Sequence, residues 1–334
     1  MNKINVILIH GGGGSEHEIA IISSKYIQDS LANTPQINLI PLEMRAQGEL
    51  FDSNGEQIFF NNVGKFSLAN KEQVKADYII PCIHGSPGED GQVAAMLDLM
   101  QIPYLGSAAE ASMLCFNKIS TKLWLDAVGI PNTPFKSYTN PKQLESAAQT
   151  IKQWGGGFLK AASQGSSVGC YSLSPDDIDS GKLARCFSEA FTLSPYVILE
   201  KIVTGRELEV AAFQFQGELV IAPPGEVVAP DSFYSYDEKY SAQSESITKV
   251  SAPDLSQEQL KQIKQLAHKS FLAFKLKDLA RIDFFLTEQE GVLLGEINTF
   301  PGLTPISMFP QMMKHHGVEF KDYLIDRISA SQDT

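Results

Sequence analysis

The chain has 334 residues, and at about 150 residues per domain that length predicts two to three domains, each large enough for a sizeable core. Apolar residues make up 43% of it and charged residues 20%, an ordinary globular composition that excludes a disordered chain. With 27 Lys and Arg against 39 Asp and Glu, the net charge of −12 argues against nucleic acid or an anionic membrane as the main partner, though not against a local basic pocket.

Ile4 to Ile9 is an apolar, β-branched run. After it come His10-Gly11-Gly12-Gly13-Gly14-Ser15 and helical spacing at Ile19, Ile22, Tyr26 and Ile27, so the order strand, glycine loop, helix over Glu16 to Leu31 is expected. The apolar stretch before the glycines is too short for a secretory signal. Further short runs at Asn38 to Leu42, Ala76 to Ile83 and Pro103 to Leu105, with a crossover helix over Gly91 to Met100, predict an open parallel α/β sheet in residues 1–116.

A second unit is expected over 117–198. Ile119 to Val128 reads as a helix, Phe158 to Ala161, Gly169 to Leu173 and Val197 to Lys201 as strands, and Lys182 to Phe191 as a helix between the last two. A third unit, 199–334, holds the strand Leu208 to Phe215, its hairpin partner Glu218 to Ala222, and a polar stretch from Pro223 to Ala252. That stretch is too long for an idle connector and is expected to be a lid that excludes water. Ser256 and Gln259 form a capping box before a helix running to Phe274, and Leu279 to Leu286 and Gly291 to Ile297 form a hairpin.

That hairpin carries the most chemistry. Residues two apart on a strand share a face, which groups Arg281 with Asp283 and Glu296 with Asn298. A turn centred between Gln289 and Glu290 would set Asp283 opposite Glu296, collecting two carboxylates and an amide suited to magnesium beside a guanidinium. Taken alone, the same pattern fits an exposed hairpin with an incidental salt bridge equally well. The turn Thr299-Phe300-Pro301-Gly302-Leu303-Thr304 then offers backbone N–H groups to a developing oxyanion.

Lys160 precedes Gln164-Gly165-Ser166-Ser167-Val168-Gly169, a loop able to fold over phosphates, although read alone such a loop is more often a plain hairpin turn. G-x-x-x-x-G-K-[ST] is absent, which excludes a P-loop fold, and G-x-G-x-x-G fails in both registers of the first glycine loop, which disfavours a nicotinamide enzyme. Glu18 by itself reads as a charge favouring a helix N-terminus. Cys82, Cys115, Cys170 and Cys186 form no C-x-x-C pair, so reduced thiols and a cytoplasmic setting are expected.

Together these residues resemble the D-alanine:D-alanine ligase family of ATP-grasp enzymes. The resemblance runs over nearly the whole chain on Gly13-Gly14-Ser15-Glu16-His17-Glu18, His84-Gly85 with Gly88-Glu89-Asp90-Gly91, Asn117-Lys118, Gly165 to Gly169, Glu200-Lys201 with Glu207, Lys239-Tyr240, Arg281-Ile282-Asp283 and Glu296-Ile297-Asn298-Thr299 with Pro301-Gly302. It implies an ATP-dependent ligase that joins two D-alanines through an acyl phosphate for peptidoglycan precursor synthesis, acting as a cytoplasmic homodimer. By position, Lys118, Lys160 and Lys239 would meet ATP phosphates with Ser167 beside them, and Glu200, Lys201 and Glu207 the adenine and ribose. Asp283, Glu296 and Asn298 would hold two magnesium or manganese ions.

Glu18 would hold the first D-alanine's ammonium with His84 nearby, and Ser307 with Gly302 or Leu303 the second carboxylate. Arg281 and the Gly302 N–H would stabilise the oxyanion, and Tyr240 would bond Ser166 and through it Glu18. Departures from the family pattern are Ala20, Ala161, Phe300 and Leu303, none of which removes a charged group. A depsipeptide-forming ligase and a catalytically silent ATP-binding protein are the competing readings.

Overall fold

A computed structural model describes residues 3–61, 65–67, 73–228 and 247–332. Among these, three sheets organise the chain.

The first begins with β1 (Ile4–Gly11), α1 (His17–Leu31) and β2 (Ile37–Met44). It continues through the short β3 (Leu50–Phe51), β4 (Gln57–Asn61), β5 (Lys65–Ser67) and β6 (Gln73–Lys75) to β7 (Tyr78–Cys82), in the spatial order β6-β5-β4-β3-β2-β1-β7. β1 runs parallel to β2 and β7, and Val6 to Ile9 are buried because elements cover both faces. The expected parallel sheet is present, but β3 to β6 extend it with antiparallel strands that the sequence reading missed. They are two to five residues long and turn at polar segments such as Gly48 and Gly55, leaving no alternation to detect.

After α2 (Gln92–Met100) come α3 (Ala109–Phe116) and α4 (Lys118–Ala127), where Asn117 caps α4 by accepting from the N–H groups of Ile119 and Ser120. The second sheet, antiparallel, contains β8 (Phe135–Tyr138), β9 (Gly157–Ala161), β10 (Cys170–Leu173) and β11 (Val197–Glu200) in the order β10-β9-β11-β8. α5 (Leu144–Trp154) and α7 (Lys182–Leu193), with the one-turn α6 (Asp176–Asp179) before α7, complete this unit, and Ala147, Ile151, Phe187 and Ala190 supply its core.

The third sheet comprises β12 (Arg206–Phe215), β13 (Glu218–Ile221), β14 (Gly225–Val228), β15 (Ile247–Lys249), β16 (Leu279–Thr287) and β17 (Gly291–Asn298). α8 (Gln257–Ala273) opens with the expected capping box: Ser256 accepts from the Gln259 N–H, and Gln259 Oε1 accepts from the Ser256 N–H. The chain ends in α9 (Met308–His315) and α10 (Phe320–Ala330).

The stretch expected as a lid is not loop at its ends. β14 and β15 pair antiparallel, Glu226 with Lys249 and Val228 with Ile247, and Glu226 bonds both Arg206 (2.6 Å) and Lys249 (3.1 Å). Its middle, 229–246, with Lys239 and Tyr240, lies outside the described residues.

Two cores join these units. Val6, Leu8, Ile27 and Ile80 of the first sheet's unit share a core with Phe213, Leu279, Phe309 and Tyr323, and Tyr26 stacks on Phe320 with ring centroids 5.1 Å apart. Ala111 and Cys115 of α3 and Leu125 of α4 pack with Leu208, Phe271 and Ile282 under the third sheet. No helix among the described residues is long and apolar enough to cross a membrane.

Candidate active site

The three sheets converge on one cleft of about 240 Å³. The β16–β17 hairpin forms its floor. Pairing runs from Thr287↔Gly291 through Phe284↔Leu294, then skips Gly295 and resumes as Asp283↔Glu296 and Arg281↔Asn298. The expected partners do face each other, but the turn centres on Gln289 and a one-residue bulge at Gly295 restores the register. Without it Glu296 would pair with Ile282, and its side chain would move to the opposite face.

Arg281 grips Asp283 with two bonds of 2.8 Å and lies 3.4 Å from Glu209, while Asn298 Nδ2 donates to Asp283 Oδ2 at 3.0 Å. Burial works against the guanidinium's charge, but Asp283 and Glu209 raise its pKa well above the ordinary range. Among the described residues there is no group of three His, Cys, Asp or Glu able to hold a metal ion. Asp283, Glu296 and Asn298 are nevertheless hard oxygen donors on one face, a set that fits magnesium when phosphate oxygens and water complete the shell.

The cations come from the other units. Lys118, at the start of α4, donates to the Gln164 carbonyl at 2.7 Å and pairs with Glu296 at 3.0 Å; burial opposes its charge, but Glu296 raises its pKa. Lys160 of β9 donates to Glu200 Oε2 at 2.7 Å. Burial alone would raise the Glu200 carboxyl, yet Lys122 and Lys160 hold it down to about 2. Lys201 and Glu207 line the same cleft, and Lys201 lies 3.6 Å from Glu290.

Ser166 and Ser167 occur in the glycine-serine loop at φ 47° and 61°, left-handed conformations that are uncommon outside glycine and tend to collect at functional loops. Both line the cleft. Ser166 Oγ donates to Glu16, and a Cβ added at Gly85 or Gly165 would come within 2.6 or 2.5 Å of Glu16 Oε2, so two glycines cradle that carboxylate. Here the sequence expectation is corrected. Glu18 is exposed and does not line the cleft, whereas Glu16 is buried and does. Glu16 is the N-cap of α1, just before the helix proper, and is buried, whereas Glu18 lies in the first helical turn on the exposed side.

His84 is buried at the cleft, its Nε2 2.9 Å from Ser23 Oγ, its Nδ1 3.8 Å from Glu89 and its ring 6.1 Å from that of Phe300. Glu89 also lines the cleft and accepts from the Gly85 N–H at 3.0 Å. Glu89 belongs to the motif that begins at His84, but no periodicity in the sequence assigns it a role, because the two lie in the irregular stretch between β7 and α2.

Gly302 lines the cleft, but Leu303 does not: its side chain is fully buried in the core shared by the first and third units. Ser307 lies just beside the lining residues, where its Oγ accepts from the Thr304 N–H at 3.1 Å and a Cβ at Gly302 would approach it to 3.1 Å.

Comparison with known proteins agrees with this geometry. The family model described as "D-ala D-ala ligase N-terminus" matches residues 5–107 and "D-ala D-ala ligase C-terminus" residues 124–329. A D-alanine–D-alanine ligase of Shewanella woodyi is 47% identical over 99% of this chain and 98% of its own length, and one of Vibrio atlanticus is 46% identical over 99% of each. The crystal structure of D-alanyl-alanine synthetase A from Vibrio cholerae matches at a TM-score of 0.92 with 43% identity, covering all of both chains. A D-Ala:D-Ser ligase from Enterococcus faecalis matches at 0.85 with 25% identity over 99% of this chain and 100% of that one. The chain therefore belongs to the D-alanine–D-alanine ligase family, on the ATP-grasp fold.

Proposed function

We propose that the chain joins two D-alanines into D-alanyl-D-alanine at the expense of ATP, for peptidoglycan precursor synthesis. The observation that carries this reading is a single cleft that gathers both sets of groups. Glu16, Ser166 and His84 line it together with Lys118, Lys160, Arg281 and the Asp283–Glu296–Asn298 face.

Glu16, cradled by two glycines, is the group to hold the first D-alanine's ammonium. A carboxylate oxygen of that D-alanine attacks the γ-phosphorus and ADP leaves. Lys118 and Lys160, with Lys239 expected beside them, balance the phosphate charge. The amine of the second D-alanine, having lost a proton from its ammonium, attacks the acyl carbon. Arg281 and the Gly302 N–H steady the tetrahedral oxyanion, and phosphate departs with the oxygen it gained. Asp283, Glu296 and Asn298 would hold magnesium or manganese, which when bound neutralises charge on the phosphates. No side-chain nucleophile is required.

A lid carrying Tyr240 within 223–252, apart from the paired strands β14 and β15, and action as a cytoplasmic homodimer belong to the same proposal. Phosphate release from ATP with D-alanine, L-alanine and D-lactate in turn, with the product mass determined, tests it. D-alanine should give the dipeptide, and release that ignores the amino acid offered would contradict it.

A further inference from the structure

Lys122 takes no part in the reaction as described. α4 buries Thr121, Lys122 and Leu125, so a lysine one turn beyond Lys118 lies on the helix's inner stripe, only 1% exposed. Its ammonium stands 3.3 Å from Glu200 Oε1 and donates to Thr133 Oγ1 and to the Thr133 carbonyl at 3.4 Å. Three acceptors match its three N–H donors. Lys160 takes the other oxygen of Glu200. The two lysines are not equivalent: the Lys160 side chain is 21% exposed and lines the cleft, whereas Lys122 lies behind Glu200, out of a ligand's reach.

We infer that Lys122 is a positioning residue for nucleotide binding, anchoring Glu200 from behind so that Lys160 is free to leave it for a phosphate. The inference rests on the ATP reading above. If Lys160 turned toward a polyphosphate with no second cation present, Glu200 would be left buried, charged and unpaired, an arrangement proteins strongly resist. Lys122 keeps that charge balanced whichever way Lys160 points. It also fixes the chemistry of the freed Oε2. An ionised carboxylate only accepts hydrogen bonds, so Oε2 takes an amino group, as on adenine, and rejects a carbonyl oxygen at the same place, as on guanine. Lys122 thus shapes base preference without touching the base.

The test compares the full-length wild type with Lys122→Met, Lys122→Arg and the double variant Lys122→Met/Glu200→Gln. ATP and GTP affinities are measured by titration calorimetry, KM for D-alanine by phosphate release, and folding by thermal melts. Lys122→Met should weaken ATP binding by about tenfold or more and lower the ATP-over-GTP preference by about tenfold, with KM for D-alanine within about twofold of wild type. Lys122→Arg should recover most of both. If Lys122→Met melts early, the double variant, which removes both charges, should melt near the wild type yet stay weak for ATP. A folded Lys122→Met or double variant with wild-type ATP affinity and preference would overturn the inference, as would equal losses for ATP, GTP and D-alanine. A wild-type chain that binds no ATP would instead overturn the nucleotide reading beneath it.

Discussion

Asp283 faces Glu296 because the β16–β17 hairpin carries one extra residue, Gly295, between them and the turn. A Cβ at Gly295 would come 2.9 Å from Cε2 of the Phe285 ring, so the bulge, left unpaired in the ladder, is closely packed against β16. Gly295→Ala should therefore press on Phe285 and disturb the face that gathers Asp283, Glu296 and Asn298. Turnover should fall by about tenfold or more while the melting temperature drops by only a few degrees, reflecting about 1–3 kcal/mol of overpacking. Steady-state kinetics beside a thermal melt separates the two effects, and wild-type turnover would show that the bulge does not set the site.

Asp283→Asn and Glu296→Gln each replace a carboxylate by an amide of nearly the same shape. Both should fold and lose turnover by orders of magnitude, because the lost charge serves metal and phosphate rather than the core. Unchanged turnover at saturating magnesium would remove these residues from the metal site.

The two glutamates at the start of α1 make opposite predictions. Glu16→Gln should raise KM for the first D-alanine and lower turnover, together about a hundredfold in kcat/KM, because a cradled carboxylate loses its charge toward an ammonium. Glu18→Gln, on the exposed side, should stay within about twofold. The reverse order would restore Glu18 to the site.

Glu200 makes a pH-dependent contribution to folding. Against the cost of burial, Lys122 and Lys160 hold its carboxyl at about 2 in the fold against an ordinary 4.5, so its contribution is complete above the ordinary value and disappears as pH falls toward 2. Urea unfolding of wild type and Glu200→Gln should show a stability gap that is constant from pH 7 to about 5 and narrows below it. A gap independent of pH down to 3 would mean that the charge of Glu200 is not what stabilises the fold.

Most of the fold was legible because its long elements follow simple periods: the apolar run of β1, the amphipathic α8 with its capping box, and the β16–β17 hairpin. Strands β3 to β6 were not, since runs of two to five residues are too short to imprint a pattern. β14 and β15 were hidden inside a polar stretch, where Glu226, gripped by Arg206 and Lys249, replaces apolar burial as the local anchor. In the site, residue types and chain order located the hairpin face and the lysines, but not direction. The point where α1 starts decided between Glu16, its N-cap, and Glu18 in its first turn, a bulge rather than the turn set Asp283 against Glu296, and Lys122 looks in sequence like any surface lysine of a helix. Tyr240 and Lys239 lie outside the described residues.

The most direct measurement follows oxygen. The chain is incubated with ATP, magnesium and D-alanine labelled with 18O in its carboxylate, and the products are weighed by mass spectrometry. Ligation through an acyl phosphate predicts D-alanyl-D-alanine together with inorganic phosphate carrying one labelled oxygen for each dipeptide formed. Unlabelled phosphate, or phosphate released without dipeptide, would contradict it.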